Sequence, residues 1–234
     1  MTAALAGYRT ANGNVIALLN LERGYSDPPA TDDQSAVEGL RGGCVVLMVA
    51  AFENYLKEVV AELLESINSA TPSCDFNKLP SALQAQTVYT GLQAAMTAKA
   101  WDPVKQREHR LPGVMHAVTR IARGEILSQE IADTAGNPNA EQVKSMFKII
   151  GVSDLFGTIK FDFDSAWGSP TAQTFIADNL DAVVQRRHVV AHTASILSTS
   201  RSDLQEWNRF LLCLVTTLDA TLERHIAQVI ADAQ

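Results

Sequence analysis

The stretch of sequence that decides the fold runs from Leu180 to Thr193 and reads LDAVVQRRHVVAHT. Apolar residues in and around it recur at the spacing of one helical face, a stripe formed by Ile176, Leu180, Val183, Val190 and Ala194. Arg187 falls in the middle of this stripe. We therefore predict a helix that aims the Arg187 guanidinium at the protein interior, where a buried cation needs a partner or a functional reason.

Similar periodicity recurs along the chain, and an apolar fraction of 47% with only 6% aromatic residues favours helices. Three capping boxes pair Thr31, Ser81 and Ser202 each with a glutamine three residues later. We predict helices over residues 2–22, 32–69, 81–99, 113–123, 140–150, 171–197 and 202–232. Residues 159–164 read IKFDFD and alternate, so they fit a short strand or an extended loop.

These elements predict a single all-α domain over residues 1–234. Its four longest helices form a bundle, and residues 70–170 are a helical and loop insertion packed on that bundle. Three widely spaced cysteines support neither a disulfide framework nor a cysteine-rich zinc site, and they suit a reducing cytoplasm. The N-terminus lacks a signal pattern and the longest apolar run is far short of the roughly 20 residues that span a bilayer. We expect a cytoplasmic protein with no membrane partner.

Charge is uneven along the chain. The net charge of −7 argues against a protein that coats nucleic acid. Residues 99–123, however, carry six basic and two acidic side chains, or +4, which leaves −11 for the remainder. Lys105, Arg107 and Arg110 are candidate RNA contacts in this segment. An ordinary solvated helical surface explains the same charges equally well.

Glu53 follows nine uncharged residues, at the edge of the apolar arc of the second predicted helix. It is the obvious partner for Arg187, because a carboxylate can hold a guanidinium by a bidentate contact. The pair would either orient the arginine for a function or only fix the register of two helices.

His188 and His192 are four residues apart and share one helical face. Such a pair often lies on an ordinary helix surface without a function, and the HxxxH spacing also occurs in zinc sites. Zinc is the weaker interpretation, because Val189 stands where an HExxH motif has its glutamate and no third ligand is evident. An ideal helix separates His192 from Arg187 by about 140°, so a bent side chain, a distorted helix or a second subunit must bring them together.

The segment from Arg187 to His192 resembles the R-x(4–6)-H motif of the HEPN superfamily (higher eukaryotes and prokaryotes nucleotide-binding). Residues 51–57, AFENYLK, resemble the glutamate-bearing helix of its RiboL-PSP branch, and residues 140–151 resemble the intervening helix. The resemblance spans roughly residues 35 to 225. The adjacent Arg186 gives an R-x(5)-H spacing that also fits, which leaves the identity of the catalytic arginine open.

The resemblance implies a metal-independent endoribonuclease without a cofactor, commonly a toxin or a defence effector, whose active site forms where two copies dimerise. His192 is then the candidate acid or base, Arg187 the phosphate stabiliser, His188 an auxiliary polar contact and Glu53 the residue that orients Arg187. The implied partners are RNA, a second copy, and an antitoxin or other defence protein. A non-catalytic HEPN-like module that binds nucleic acid or protein, and a purely structural helical dimer, are the alternatives.

Overall fold

A computed structural model describes residues 1–70, 74–97, 106–132, 138–193 and 199–234. Within these ranges every regular element is helical, so the prediction of an all-α fold is confirmed. The helices are α1 (Ala3–Glu22), α2 (Gln34–Ser69), α3 (Ser81–Thr97), α4 (Gln106–Ala122), α5 (Ser128–Ile131), α6 (Ala140–Ile149), α7 (Leu155–Trp167), α8 (Phe175–Thr193) and α9 (Arg201–Ala233).

The centre of the bundle is α2, which packs against α1, α8 and α9. Its side chains Phe52, Tyr55, Leu56 and Leu64 are fully buried. Among the described residues, the stretch Thr31–Ser69 is long and apolar enough to span a membrane by length and composition alone. Half of its most apolar window is buried inside the structure.

The long helices alternate in direction around α2. The start of α9 meets the end of α1 through Arg201 and Glu22, and the start of α1 meets the middle of α9 through Thr2 and Asp219. The backbone N–H of Asp75, shortly after α2, donates to the last turn of α9. Thus α9 runs parallel to α2, whereas α1 runs antiparallel to both. Because a short connection joins α8 to α9, α8 is also antiparallel to α2.

The interpretation of residues 159–164 as a strand or an extended loop is wrong, because they lie inside α7. Asp154 caps this helix by accepting a hydrogen bond from the backbone of Gly157, and Gly168 ends it with a φ of +90°. Ile159 and Phe163 are buried one turn apart, whereas Phe161 is 83% exposed. The apolar residues alternate along this segment, but the two that are buried are four residues apart, which is the spacing of one helical face.

Other helix boundaries lie closer to the predicted ones. The helix predicted to begin at residue 113 begins at Gln106 and continues through Pro112. The capping box of α9 uses Ser200 and Asp203 in place of Ser202 and Gln205. Residues 194–197 of the predicted sixth helix lie outside the described residues.

Candidate functional site

The helix that carries the R-x(4)-H motif, α8, packs closely on α2. Ile176, Leu180 and Val183 are fully buried, as the apolar stripe predicts. Farther along, Val190 lies against Gly42 of α2, where an added Cβ would come within 3.3 Å of the valine Cγ1. The absence of a side chain at Gly42 thus lets the last turns of α8 approach the centre of the bundle. Ala194, the last residue of the predicted stripe, lies outside the described residues.

Arg187 is half-buried on α8, and its Nε atom is fully buried. It lies between Val183 and Val190 in the apolar stripe of α8, and its orientation by Glu53 stays a prediction. Arg186 is also half-buried. Nothing in this geometry assigns the catalytic role to one of the two arginines, so that choice stays a prediction.

The structure brings His188 and His192 together on the outer surface of α8. Their ring centroids are 4.3 Å apart and the rings are tilted by 56°. Both side chains are exposed. Both imidazoles are therefore accessible to solvent, whereas Arg186 and Arg187 on the same helix are half-buried.

Glu53 lies on the face of α2 that α8 covers. It is eleven residues after Gly42, which places both residues within about 20° on the helix and about 16 Å apart along its axis. Its Oε1 accepts a hydrogen bond from Lys57 Nζ at 2.9 Å, an ion pair across one turn. The contact between Glu53 and Arg187 stays a prediction.

An acidic cleft of about 640 Å³ opens beside His188. Its walls carry three carboxylates, those of Glu141, Asp178 and Asp181. Asp181 also accepts a hydrogen bond from the backbone of Ala140, which fixes the start of α6 against α8. Negative charge on this side of His188 disfavours the approach of an anion.

A buried ionic network, which sequence reasoning missed, lies next to the C-terminal end of α8. Glu22 is completely buried, and its carboxylate accepts hydrogen bonds from Arg41 at 2.8 and 2.6 Å and from Arg201. Arg41 also donates to the carbonyl of Thr199, at the start of α9. The hydrogen bond from Arg41 lowers the pKa of Asp27 below its ordinary value. The network thus ties the α8–α9 connection to the ends of α1 and α2.

A sequence signal for this network exists. Arg41 is a cation between the buried residues Val37 and Cys44 on α2. Like Arg187, Arg41 is a cation within an apolar stripe, and a buried cation needs a partner.

Only part of the basic segment 99–123 lies within the described residues. Lys105 and the side chain of Arg107 are outside the described residues, and Arg110 is half-buried on α4. Asn68 of α2 exchanges hydrogen bonds with the backbone of Ile126, which anchors the chain just after α4. Asn68 is 26 residues, or about 39 Å of helix, from the Gly42 contact with α8. The assignment of Lys105, Arg107 and Arg110 as RNA contacts stays a prediction.

In the part of the chain that the structure describes, no group of three or more histidine, cysteine, aspartate or glutamate side chains is arranged to hold a metal ion. Cys44, Cys74 and Cys213 are free thiols, and burial raises the pKa of Cys44 to about 11.

Comparison with known proteins gives one match. A family model described as RiboL-PSP-HEPN matches residues 14–224, which includes α2, α6 and the whole of α8. No curated protein and no solved structure matches the chain.

Proposed function

Because the chain belongs to the RiboL-PSP-HEPN family, we propose that it is a metal-independent endoribonuclease whose catalytic groups lie on α8. The observation that supports this proposal best is the exposed pair of His188 and His192, on the same helix as two half-buried arginines. Imidazoles that change protonation near neutral pH and guanidiniums that bind phosphate are the groups that metal-free RNA cleavage needs.

In the proposed reaction, His192 removes the proton from a ribose 2′-hydroxyl. The 2′-oxygen then attacks the adjacent phosphorus, and the bond from phosphorus to the 5′-oxygen breaks. A second histidine supplies the proton that the leaving 5′-oxygen takes, so protons balance over the step. Arg187 stabilises the charge on the phosphoryl oxygens, and Glu53 orients Arg187. His188 provides a further polar contact.

The second histidine comes from another copy of the chain in this proposal. Gly42 faces α8 and Gly43 faces Leu18 of α1, so Val46 and Ala50 lie on the strip of α2 between these two helices. Both are exposed, Val46 by 37%. An apolar strip beside the motif suits a twofold contact, which would place two copies of α8 around one cleft.

The test is cleavage of a fluorescent RNA by the purified protein in excess EDTA. Wild type should cleave, and His192→Ala or Arg187→Ala should lower the rate by about 10²- to 10⁴-fold, the usual contribution of a positioned acid or base. His109→Ala and Arg23→Ala change exposed residues outside the motif and should cleave at the wild-type rate.

Equal rates for wild type and both motif variants would contradict the proposal, as would loss of wild-type cleavage in EDTA. Retention of RNA without cleavage would replace it with the non-catalytic binding module. The roles of toxin or defence effector, the antitoxin partner and the cytoplasmic location belong to the same proposal. Growth arrest on overproduction, lost in the His192→Ala variant, tests the toxin role.

A further inference from the structure

His192, the candidate acid or base, lies in the last turn of α8. The last carbonyls of a helix have no partner within it, and helix ends open at lower cost than helix centres. Its side chain is exposed, so packing around the imidazole does not hold it. A misplacement of about 1 Å can lower the rate of an enzyme about a hundredfold. A catalytic histidine at this place therefore needs support from outside α8.

Two consecutive residues of α2 contact the chain on both sides of His192. Before it, Val190 lies against Gly42, where an added Cβ would come within 3.3 Å of the valine Cγ1. After it, the backbone carbonyl of Thr199 accepts a hydrogen bond from Arg41 Nη1 at 2.8 Å. The stretch that carries His192 is thus attached to one turn of α2 at both of its ends.

The guanidinium of Arg41 is itself held in one orientation. Arg41 is only 6% exposed. Its Nε and Nη2 atoms donate to one oxygen of Glu22 at 2.8 and 2.6 Å, and Nη2 also donates to Asp27 at 2.9 Å. Because the guanidinium is planar and rigid, these bonds to carboxylates fix the direction in which Nη1 meets the carbonyl of Thr199.

We propose that Arg41 is a positioning residue for RNA cleavage, which holds the end of α8 through the carbonyl of Thr199 and so keeps His192 in place. Gly42 completes the attachment by admitting Val190. Because Arg41 is buried and paired, it acts through Thr199 and not through contact with RNA. This inference rests on the proposed ribonuclease function and gives the buried ionic network a part in it.

The test variant is Arg41→Lys, and Arg201→Lys is its matched control. Both arginines pair with Glu22, and Arg201 also donates to two backbone carbonyls at and just after the end of α1. Lysine keeps the charge at either position, but a single ammonium cannot reproduce the several directed bonds of a guanidinium. Only Arg41→Lys removes the bond to Thr199.

The first readout is cleavage of the fluorescent RNA in EDTA over a range of RNA concentrations. Rates are expressed per folded protein, which circular dichroism measures. Arg41→Lys should lower kcat at least about tenfold and change KM less than about twofold, because positioning acts on the chemical step and not on RNA binding. Arg201→Lys should keep kcat within about threefold of wild type.

The second readout is amide hydrogen exchange by NMR, which does not depend on cleavage. In Arg41→Lys the backbone N–H of His192 should exchange at least about tenfold faster than in wild type. The backbone N–H of Val183, which is fully buried earlier on α8, should exchange at the wild-type rate. A purely structural role of Arg41 would speed exchange at both positions alike.

A second pair of variants tests the other contact and leaves the ionic network intact. An added Cβ at Gly42 meets Val190 of α8 at 3.3 Å, and one at Gly43 meets Leu18 of α1 at the same distance. Gly42→Ala should lower kcat at least about threefold without changing KM, because Val190 must move to make room. Gly43→Ala should cleave like wild type. This pair decides the matter if Arg41→Lys does not fold.

Three results would overturn the proposal. Wild-type kcat in Arg41→Lys would show that His192 does not depend on Arg41. Equal loss of kcat in Arg41→Lys and Arg201→Lys would make the network a support of the fold alone. A raised KM with unchanged kcat would assign Arg41 to RNA binding.

Failure of the proposed function is distinguishable from failure of this inference. Wild type that does not cleave RNA would contradict the ribonuclease proposal, and the exchange rates would then decide the role of Arg41. Faster exchange confined to the end of α8 in Arg41→Lys would support its hold on His192, and unchanged exchange would overturn it.

Discussion

Removing the carboxylate of Glu22 should cost the fold more than any change of a surface charge. Glu22→Ala deletes the acceptor for two hydrogen bonds from Arg41 and one from Arg201. Arg41 keeps Asp27 and a backbone carbonyl, and Arg201 keeps two carbonyls. Because both guanidiniums still lose their main counter-charge, we expect a loss of about 3–5 kcal/mol in the free energy of unfolding.

Urea unfolding followed by circular dichroism measures this loss. With an m-value of about 2 kcal/mol/M, the midpoint should fall by about 2 M urea. The control is Asp162→Ala, which breaks an exposed ion pair with Arg224 and should cost about 0–1 kcal/mol. If the two variants lose the same stability, the buried network does not hold the ends of α1, α2 and α9 together, and our account of it is refuted.

Three further predictions use the same unfolding assay. Gly39→Ala should stabilise α2 by about 0.5–1 kcal/mol, because no other atom lies near the added Cβ. Gly42→Leu should destabilise the protein by about 1–3 kcal/mol, because α8 packs against that position. Equal effects of the two substitutions would contradict this packing. Phe163→Ala should cost about 3–5 kcal/mol and Phe161→Ala less than about 0.5 kcal/mol, whereas an alternating strand would expose or bury both. A hydrogen bond from the lysine one turn earlier lowers the pKa of Asp164 below 3.8, so its carboxylate stabilises the fold at neutral pH and ceases to do so as the pH falls through the lowered pKa. The stability difference between wild type and Asp164→Asn should therefore shrink in acid, and a constant difference from neutral to acidic pH would disprove this.

The long helices could be predicted because the residues that they bury recur at helical spacing along the sequence. The four longest predicted helices all exist with ends within a few residues of those expected, except where residues 194–198 are not described. The error at α7 arose because Ile159, Phe161 and Phe163 fit both a period of two and a turn of helix. The capping Asp154 and the closing Gly168 could have distinguished the two.

The candidate site could likewise be predicted from the sequence only in part. Arg187, His188 and His192 are neighbours in sequence, so a motif was enough to group them. Glu22, Arg41 and Arg201 are far apart along the chain, and only the packing of three helices shows that they meet. The exposure of Tyr89 and Met96 could not be predicted either, because an apolar helical stripe indicates burial and gives no sign that it remains exposed.

The length of α2 has a consequence for how the molecule works. Its N-terminal part supports α8 and its far end anchors the chain beside α4, about 39 Å away by helix geometry. One helix therefore sets the distance between these two regions, so unfolding of α2 would release both α8 and the chain that follows α4.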